Sequence, residues 1–418
     1  MKAPFKLAAT ALALACCGAA HAACSTTIGV VVPMTGPAGE YGQSGAKAIQ
    51  MAFRDLNQAG GVNGCTLNAE IRDDQSQGSV GVDVARQLVD IQHVPAIIGS
   101  IISSVTLPVL TSVAVPADVV QISPASSTPT LTVLARDGKT KGLFFRTITS
   151  DALQGIATGQ FASDLKLKKV AVIYVNNDYG VNLNKEFNRA FSALGGTVVS
   201  AVPYNERQAS YQPEVTKALA SNPDALYLIS YPTDGATITR TWISAGGPQK
   251  FLLNDGLNSD EFIKAVGPKY LTQAYGTSSG TEPSASTRYF AETFPGYSHF
   301  SATAPGVDRA YDAAALIGLA IAQAGKADSE SIKGAIRTVL AVDGTPVGAG
   351  PDEFKRGLAL LKEHKPIRYV GLIGPVQFDK YGDITGPFAK WQIVDGKPKN
   401  LGDVSTVQID SLKARLGE

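Results

Sequence analysis

The chain of 418 residues carries 37 lysines and arginines against 36 aspartates and glutamates, with four histidines and four cysteines. So even a charge excludes an electrostatic grip on nucleic acid or on an anionic surface. Apolar residues make up 44% and charged ones 17%, enough for real cores, and the length predicts two domains.

Residues 1–22 read as an address. Lys2 and Lys6 form a positive start, Leu7 to Cys17 is apolar but too short to span a bilayer, and Ala20-His21-Ala22 fits a cleavage site. This predicts a signal peptide, export to the periplasm and a mature start at Ala23. A lipid anchor on Cys16 or Cys24 is the weaker reading, because neither follows a Leu-small-small run. Losing Lys2 and Lys6 leaves a net charge of about −1. Leu107 to Ile122 is the nearest approach to a membrane helix, and Pro108, Pro116 and Asp118 break it.

Ile28 to Val32 is a β-branched run suited to a strand buried on both faces. The loop Pro33 to Gly42 follows, then a helix from about Gln43 with Ala46, Ile49, Phe53 and Leu56 at helical spacing. Gly60-Gly61-Val62-Asn63-Gly64 ends it, and Leu67 to Arg72 is the next strand. Such βαβ units build parallel sheets whose ligands sit at the carboxyl ends of the strands. Cys24 and Cys65 each precede one of these neighbouring strands, so a disulfide is expected at the opposite end of the sheet.

The alternation continues with strands at Pro95–Gly99 and Val119–Ile122 and helices near Val80–Gln92 and Ser103–Val113. A second series runs through strands at Lys169–Val175, Val198–Val202, Ala225–Ser230 and Phe251–Leu253, with helices near Leu183–Leu194, Pro213–Ala220 and Ala236–Ala245. Two series predict two parallel sheets. The chain is expected to cross between them near Arg146–Ser150, again at Gly276–Gly280, and a third time near Gly382–Gly386. Gly306 to Leu361 reads as helices returned to the first domain, and Phe388–Val394 as a strand closing the second. The resulting lobes are residues 23–147 with 278–383, and residues 148–277 with 384–418.

The pattern Gly276-Thr277-Ser278-Ser279-Gly280 matches a nucleophile elbow, but it lacks the strand–turn–helix context and a nearby histidine, so a hinge is the expectation and a hydrolase the remote alternative. His93, His299 and His364 are isolated, and no His or Cys pair has metal-ligand spacing, so neither metal nor cofactor is expected. Asp73-Asp74 and Asp260-Glu261 read as solvated element ends. The positive signal lies in loops after strands. Ser103 and Ser104 open a helix, as caps and as an N-terminus attractive to a carboxylate. Ala125, Ser126 and Ser127 lie in a hydroxyl-rich loop. Asn176–Gly180 and Ser230–Asp234 bring Tyr179 and Tyr231, and Asn254-Asp255-Gly256 brings an acid. Together these loops suit a cleft for a small polar ligand.

Several segments in order carry a resemblance: Pro33-Met34-Thr35-Gly36-Pro37 with Tyr41-Gly42, Gly60–Gly64, Asp73-Asp74, Ile98-Gly99 with Ser103-Ser104, Ile122-Ser123-Pro124-Ala125, Asp178-Tyr179-Gly180, and Gly374–Asp379 with Gly382-Asp383. With these the mature chain resembles the periplasmic solute-binding proteins of branched-chain-amino-acid-type ABC transporters. The resemblance implies a type I binding protein, two doubly wound parallel-sheet α/β lobes joined by three crossovers, a monomer that delivers its solute to a membrane permease, and no catalysis. It implies that Ser103 and Ser127 hold a ligand carboxylate, that the Ala125 carbonyl and Asp255 hold an ammonium, and that Tyr41, Tyr179 and Tyr231 wall the pocket. Ser127 stands where the family often has Thr, and Asp255 where amino-acid binders often have Glu. A shorter acid either fails to reach the ammonium or leaves room for a larger ligand, and Asp255 as a loop-capping residue is the alternative; related binders with modified sites take amides, small carboxylates or aromatic acids. A sensor that addresses a membrane receptor instead of a permease fits the same sequence.

Overall fold

The computed structural model describes residues 24–417; the signal peptide expected at residues 1–22 lies outside the described residues. The first sheet has five parallel strands, β1 (Ser25–Val32), β2 (Thr66–Asp73), β3 (Ala96–Gly99), β4 (Val120–Ser123) and β5 (Phe144–Arg146), in the order β2-β1-β3-β4-β5. Its central strands are apolar throughout because helices cover both faces: Ile28, Val30, Val31, Val32, Ile97, Ile98, Val120 and Ile122 are fully buried. The helices between its strands are α1 (Gly39–Gln58), α2 (Gly78–Arg86), α3 (Ser103–Val109) and α4 (Pro129–Arg136). Cys24 and Cys65 form a disulfide beside the start of β1 and β2, with Cα atoms 4.7 Å apart.

The second sheet holds β6 (Lys169–Val175), β7 (Thr197–Tyr204), β8 (Ala225–Ile229), β9 (Phe251–Leu253) and β10 (Ala274–Ser279), with α5 (Asp151–Asp164), α6 (Asp178–Ala193), α7 (Gln212–Leu219), α8 (Pro232–Ser244) and α9 (Asp260–Val266) against it. The chain then returns to the first lobe as α10 (Ala285–Tyr297), α11 (Val307–Ala324), α12 (Ser329–Ala335) and α13 (Pro351–Lys362), with a small sheet of β11 (Thr345–Val347), β12 (Ile367–Gly371) and β13 (Gly374–Pro375). Fourteen of the eighteen residues of α11 are buried, several of them alanines, which lets it lie close against α1. The chain finally rejoins the second sheet with β14 (Phe388–Val394) and β15 (Lys397–Val404), then ends in α14 (Thr406–Arg415). The order β15-β14-β10-β9-β8-β6-β7 is parallel except for β14 and β15, which run antiparallel at the edge.

Three expectations need correcting. The first helix begins at Gly39, not near Gln43, because the Asp73 carboxylate gathers Met34 N (2.9 Å), Thr35 N (3.2 Å) and Thr35 Oγ1 (2.7 Å) and closes the preceding turn early. Asp74 is not solvated. It is fully buried, accepts from Ser76 N at 2.8 Å and from the Ser100 hydroxyl, and burial pushes its carboxyl up to about 6. The run Gly276–Ser279 is not a free hinge, since it belongs to β10 and is laddered to β14, where Trp391 Nε1 donates to Ser278 Oγ at 2.9 Å. That strand pairing rules out the elbow context for Ser278.

Candidate functional site

The two lobes present the same local device. An ideal Cβ on Gly42 would lie 1.9 Å from the Pro33 carbonyl oxygen, and one on Gly180 would lie 2.0 Å from that of Val175. Each opening helix turn therefore presses on the end of its strand only because glycine stands there. The residue before each glycine is a tyrosine, so Tyr41 on α1 and Tyr179 on α6 are fixed opposite one another at the carboxyl ends of the first strands. Tyr231, at the N-cap of α8, stacks on Tyr179 with ring centroids 6.0 Å apart.

β9 is followed by Asn254 and Asp255, the second of which opens a 3₁₀ turn. The Asn254 amide donates to Tyr179 Oη (2.6 Å), and Tyr179 Oη donates to Asp255 Oδ1 (2.6 Å). The acid is thus aimed by a chain of two hydrogen bonds. Burial pushes the Tyr41, Tyr179 and Tyr231 phenols well above their usual range, so all three stay neutral. From the first lobe, Ser103 begins α3 and Ala125 lies in the loop after β4. Ser103 does not cap its helix: the N-cap is Ile102 with no capping side chain, and Ser103 Oγ instead accepts from Thr128 N at 3.3 Å.

Tyr41, Ser103, Ala125, Tyr179, Tyr231 and Asp255 line one cavity, completed by Ile101, Ile102, Ile148, Gly256, Pro305 and Gly306. Its volume is about 50 Å³. The lobes are closed over it. The Tyr41 hydroxyl donates to the Gly256 carbonyl, the Ser259 hydroxyl to the Glu40 carboxylate, and Asn182 Nδ2 to Thr128 Oγ1 at 3.2 Å.

Ser104, Ser126 and Ser127 are not in the lining. Ser104 is half-buried and backs onto Gly78 of α2. Ser126 spends its hydroxyl on Thr106 Oγ1 (2.6 Å) and the Ser100 and Ile101 carbonyls (3.2 Å each). Ser127 faces the far side, where its carbonyl takes the Asp151 N–H at 2.8 Å.

Two residues behind that wall escaped the sequence reading. Asp151, the first residue of α5, is fully buried, and among the described residues neither carboxylate oxygen makes a hydrogen bond of ordinary geometry, the Ser127 hydroxyl being its near neighbour. Burial, then the Asp255 charge, pushes its carboxyl well up against the opposing pull of the Ser127 hydroxyl and Arg146. Arg146, also fully buried, pairs with Asp383 (2.7 Å) and donates to the Ser126 (3.3 Å) and Thr128 (3.1 Å) carbonyls and to Thr132 Oγ1 (2.8 Å). It holds the loop that carries Ala125. An acid after a serine reads as an ordinary helix start, and an arginine ending a strand as a boundary; their shared position at a crossover was the available signal.

The family model described as periplasmic binding protein matches residues 25–368. An amino acid binding protein of Pseudomonas aeruginosa is 30% identical over 253 residues, 60% of this chain and 66% of that protein. A Leu/Ile/Val-binding protein homologue of Brucella suis is 29% identical over 58% of this chain and 63% of its own length. The chain therefore spans just under two thirds of these two relatives. A leucine-, isoleucine-, valine-, threonine-, and alanine-binding protein of P. aeruginosa is 27% identical over 76% of this chain and 83% of its own. Among solved structures, a leucine binding protein of Thermotoga maritima superposes with TM-score 0.77 at 24% identity, covering 91% of this chain and 99% of that one. A solute binding protein of R. palustris in complex with benzoate gives 0.73 at 17% identity, covering 91% and 96%. At such identities these two likenesses speak for the fold alone, the type I arrangement of two α/β lobes. With most of its length matched by the family model, the chain belongs to the periplasmic binding proteins.

Proposed function

We propose that this chain captures an amino acid, or a solute with the same ammonium and carboxylate, between its lobes in the periplasm and presents the closed form to the permease of an ABC importer. The observation that carries the reading is Asp255. Among the described residues it is the one charged side chain lining a closed interlobe cavity, and no described lysine, arginine or histidine lines that cavity. A carboxylate enclosed with neutral phenols and aliphatic side chains gains most from a ligand cation. The Ala125 carbonyl is a second acceptor for the ammonium. The Ser103 hydroxyl and the amide end of α3 suit the ligand carboxylate, so the zwitterion meets neutral donors and one acid. The relatives named for amino acids fit this reading.

Residues 1–22 would carry the chain across the inner membrane. Lobe closure would turn on the three crossings, shifting an existing open–closed balance toward the closed form. No bond is made or broken. The stacked pair Tyr179–Tyr231 favours one second reading, a planar aromatic acid, as in the R. palustris protein bound to benzoate.

The test is a thermal-shift panel on the mature chain after unfolding and refolding to strip bound ligand. A true ligand at 100 times its Kd stabilises by about 2.7 kcal/mol. Shifts confined to amino acids support the ammonium site. Shifts confined to acids without an amine keep the cleft and remove Asp255 as cation partner.

A further inference from the structure

The closed cleft is small. Its 50 Å³ of water-accessible interior would hold only a few water molecules, at about 10–15 Å³ each. Beside it lies a second cavity of about 370 Å³, formed between the lobes on the crossover side. Ile148, Asp255, Pro305 and Gly306 line both, so the two adjoin at the acid itself. From Asp255 outward, the second cavity has an apolar stretch of Phe290, Leu372, Ala389 and Trp391.

It also has polar groups with capacity to spare. Asn258 closes the same 3₁₀ turn that begins at Asp255. Its backbone N–H is used, donating to the Asp255 carbonyl at 3.0 Å, while its half-buried side-chain amide has no partner among the described hydrogen bonds. Ser278 Oγ accepts from Trp391 Nε1 at 2.9 Å, which leaves its own O–H free to donate. A half-buried amide and hydroxyl with open valences, reached along an apolar wall, match a methylene chain ending in a hydrogen-bonding group.

We infer that the preferred solute is an amino acid with a long, polar-tipped side chain, whose ammonium is held at Asp255 and whose side chain runs into this second cavity to meet Asn258 and Ser278. The inference rests on the ammonium reading above and adds the ligand's length and tip. Asp308 and Arg309 also line the cavity but are paired with each other at 2.7 Å, so a neutral tip such as an amide fits better than a charged one.

The probes are L-valine, which ends within the cleft, and Nε-acetyl-L-lysine, whose amide reaches the second cavity. Affinities would be measured by calorimetry on the refolded mature chain, on Ala389→Phe, which fills the cavity from β14, and on Asn258→Ala, a turn substitution that spares folding should the phenylalanine be rejected. The expected result is that acetyl-lysine binds at least tenfold tighter than valine. Asn258→Ala should weaken acetyl-lysine several-fold and Ala389→Phe should abolish its advantage, with valine unchanged in both. Valine binding as tightly as acetyl-lysine, with neither variant separating them, overturns this inference while leaving the ammonium site standing. Failure of both amines to bind overturns the ammonium reading and this inference with it.

Discussion

Asp255→Asn isolates charge from shape. In the folded protein Asp255 Oδ1 accepts the Tyr179 hydroxyl at 2.6 Å, and an asparagine oxygen can accept that bond in the same place. The cavity wall and the Asn254–Tyr179 chain behind it should therefore stay put. The variant loses the charge–charge part of one hydrogen bond to a ligand ammonium, a class of bond that contributes about 1.5–3 kcal/mol. Since 1.4 kcal/mol is tenfold in Kd, affinity for an amino acid should fall by roughly 10- to 150-fold. The unliganded protein should behave oppositely. The Asp255 charge adds to the burial that raises the Asp151 carboxyl and the Tyr179 and Tyr231 phenols, so removing it should leave the apo melting temperature unchanged or slightly higher. The assay is calorimetric titration with L-valine and with isovalerate, its counterpart without the amine, beside apo melting curves. Unchanged valine affinity would refute the ammonium role. An equal loss for valine and isovalerate, or a marked drop in apo stability, would show that Asp255 acts as scaffold.

Other consequences can be read at the same bench. Arg146→Met removes a fully buried cation from its pair with Asp383 and frees the Ser126 and Thr128 carbonyls, so a loss of about 3–5 kcal/mol in urea unfolding is expected, and a loss under about 1 kcal/mol would contradict it. Gly42→Ala and Gly180→Ala each put a methyl within 2.0 Å of a carbonyl oxygen and should lower the melting temperature, whereas Gly296→Ala on α10, with open space around it, should not; equal melting of all three would refute the close-approach argument. Burial pushes Asp74 up to about 6 and Asp312 up to about 7. Both carboxyls are raised above the unfolded value near 4. Their stabilisation is therefore complete below about pH 4 and is lost as the pH climbs through 6 and 7, so thermal stability should decline from pH 5 to 8. Asp74→Asn keeps the acceptor for Ser76 N and lets the Ser100 hydroxyl turn to accept, so it should remove part of that decline. A melting temperature that rises over this range would contradict the assignment.

What the sequence made legible, and what it hid, divides by range. Buried parallel strands announce themselves as unbroken β-branched runs, so Ile28–Val32 and Lys169–Val175 could be placed from a handful of neighbouring residues. The loops after them follow from chain order, and so Tyr41, Ser103, Ala125, Tyr179, Tyr231 and Asp255 could be gathered at strand ends without coordinates. Side-chain direction was not legible. Ser103, Ser126 and Ser127 are equally plausible hydroxyls on paper, and which one meets the cavity is settled by Arg146 and Thr106 reaching in from other elements. The same limit made Ser278 look like a hinge. Its partner strand β14 begins at Phe388, over a hundred residues later, and only that pairing turns a glycine-flanked serine into the middle of a sheet. Asp74 and Asp151 were the hardest. An acid beside another acid, or after a serine, is solvated in most proteins, and nothing local marks the one that a neighbouring loop or the other lobe will cover. Binding sites between lobes are made by such coverings. Asp151, with Asp255 for a neighbour, shows the cost: burial and the Asp255 charge push its carboxyl well up, toward the neutral form, so of the two acids brought together where the lobes meet it is Asp255 that lines the cavity.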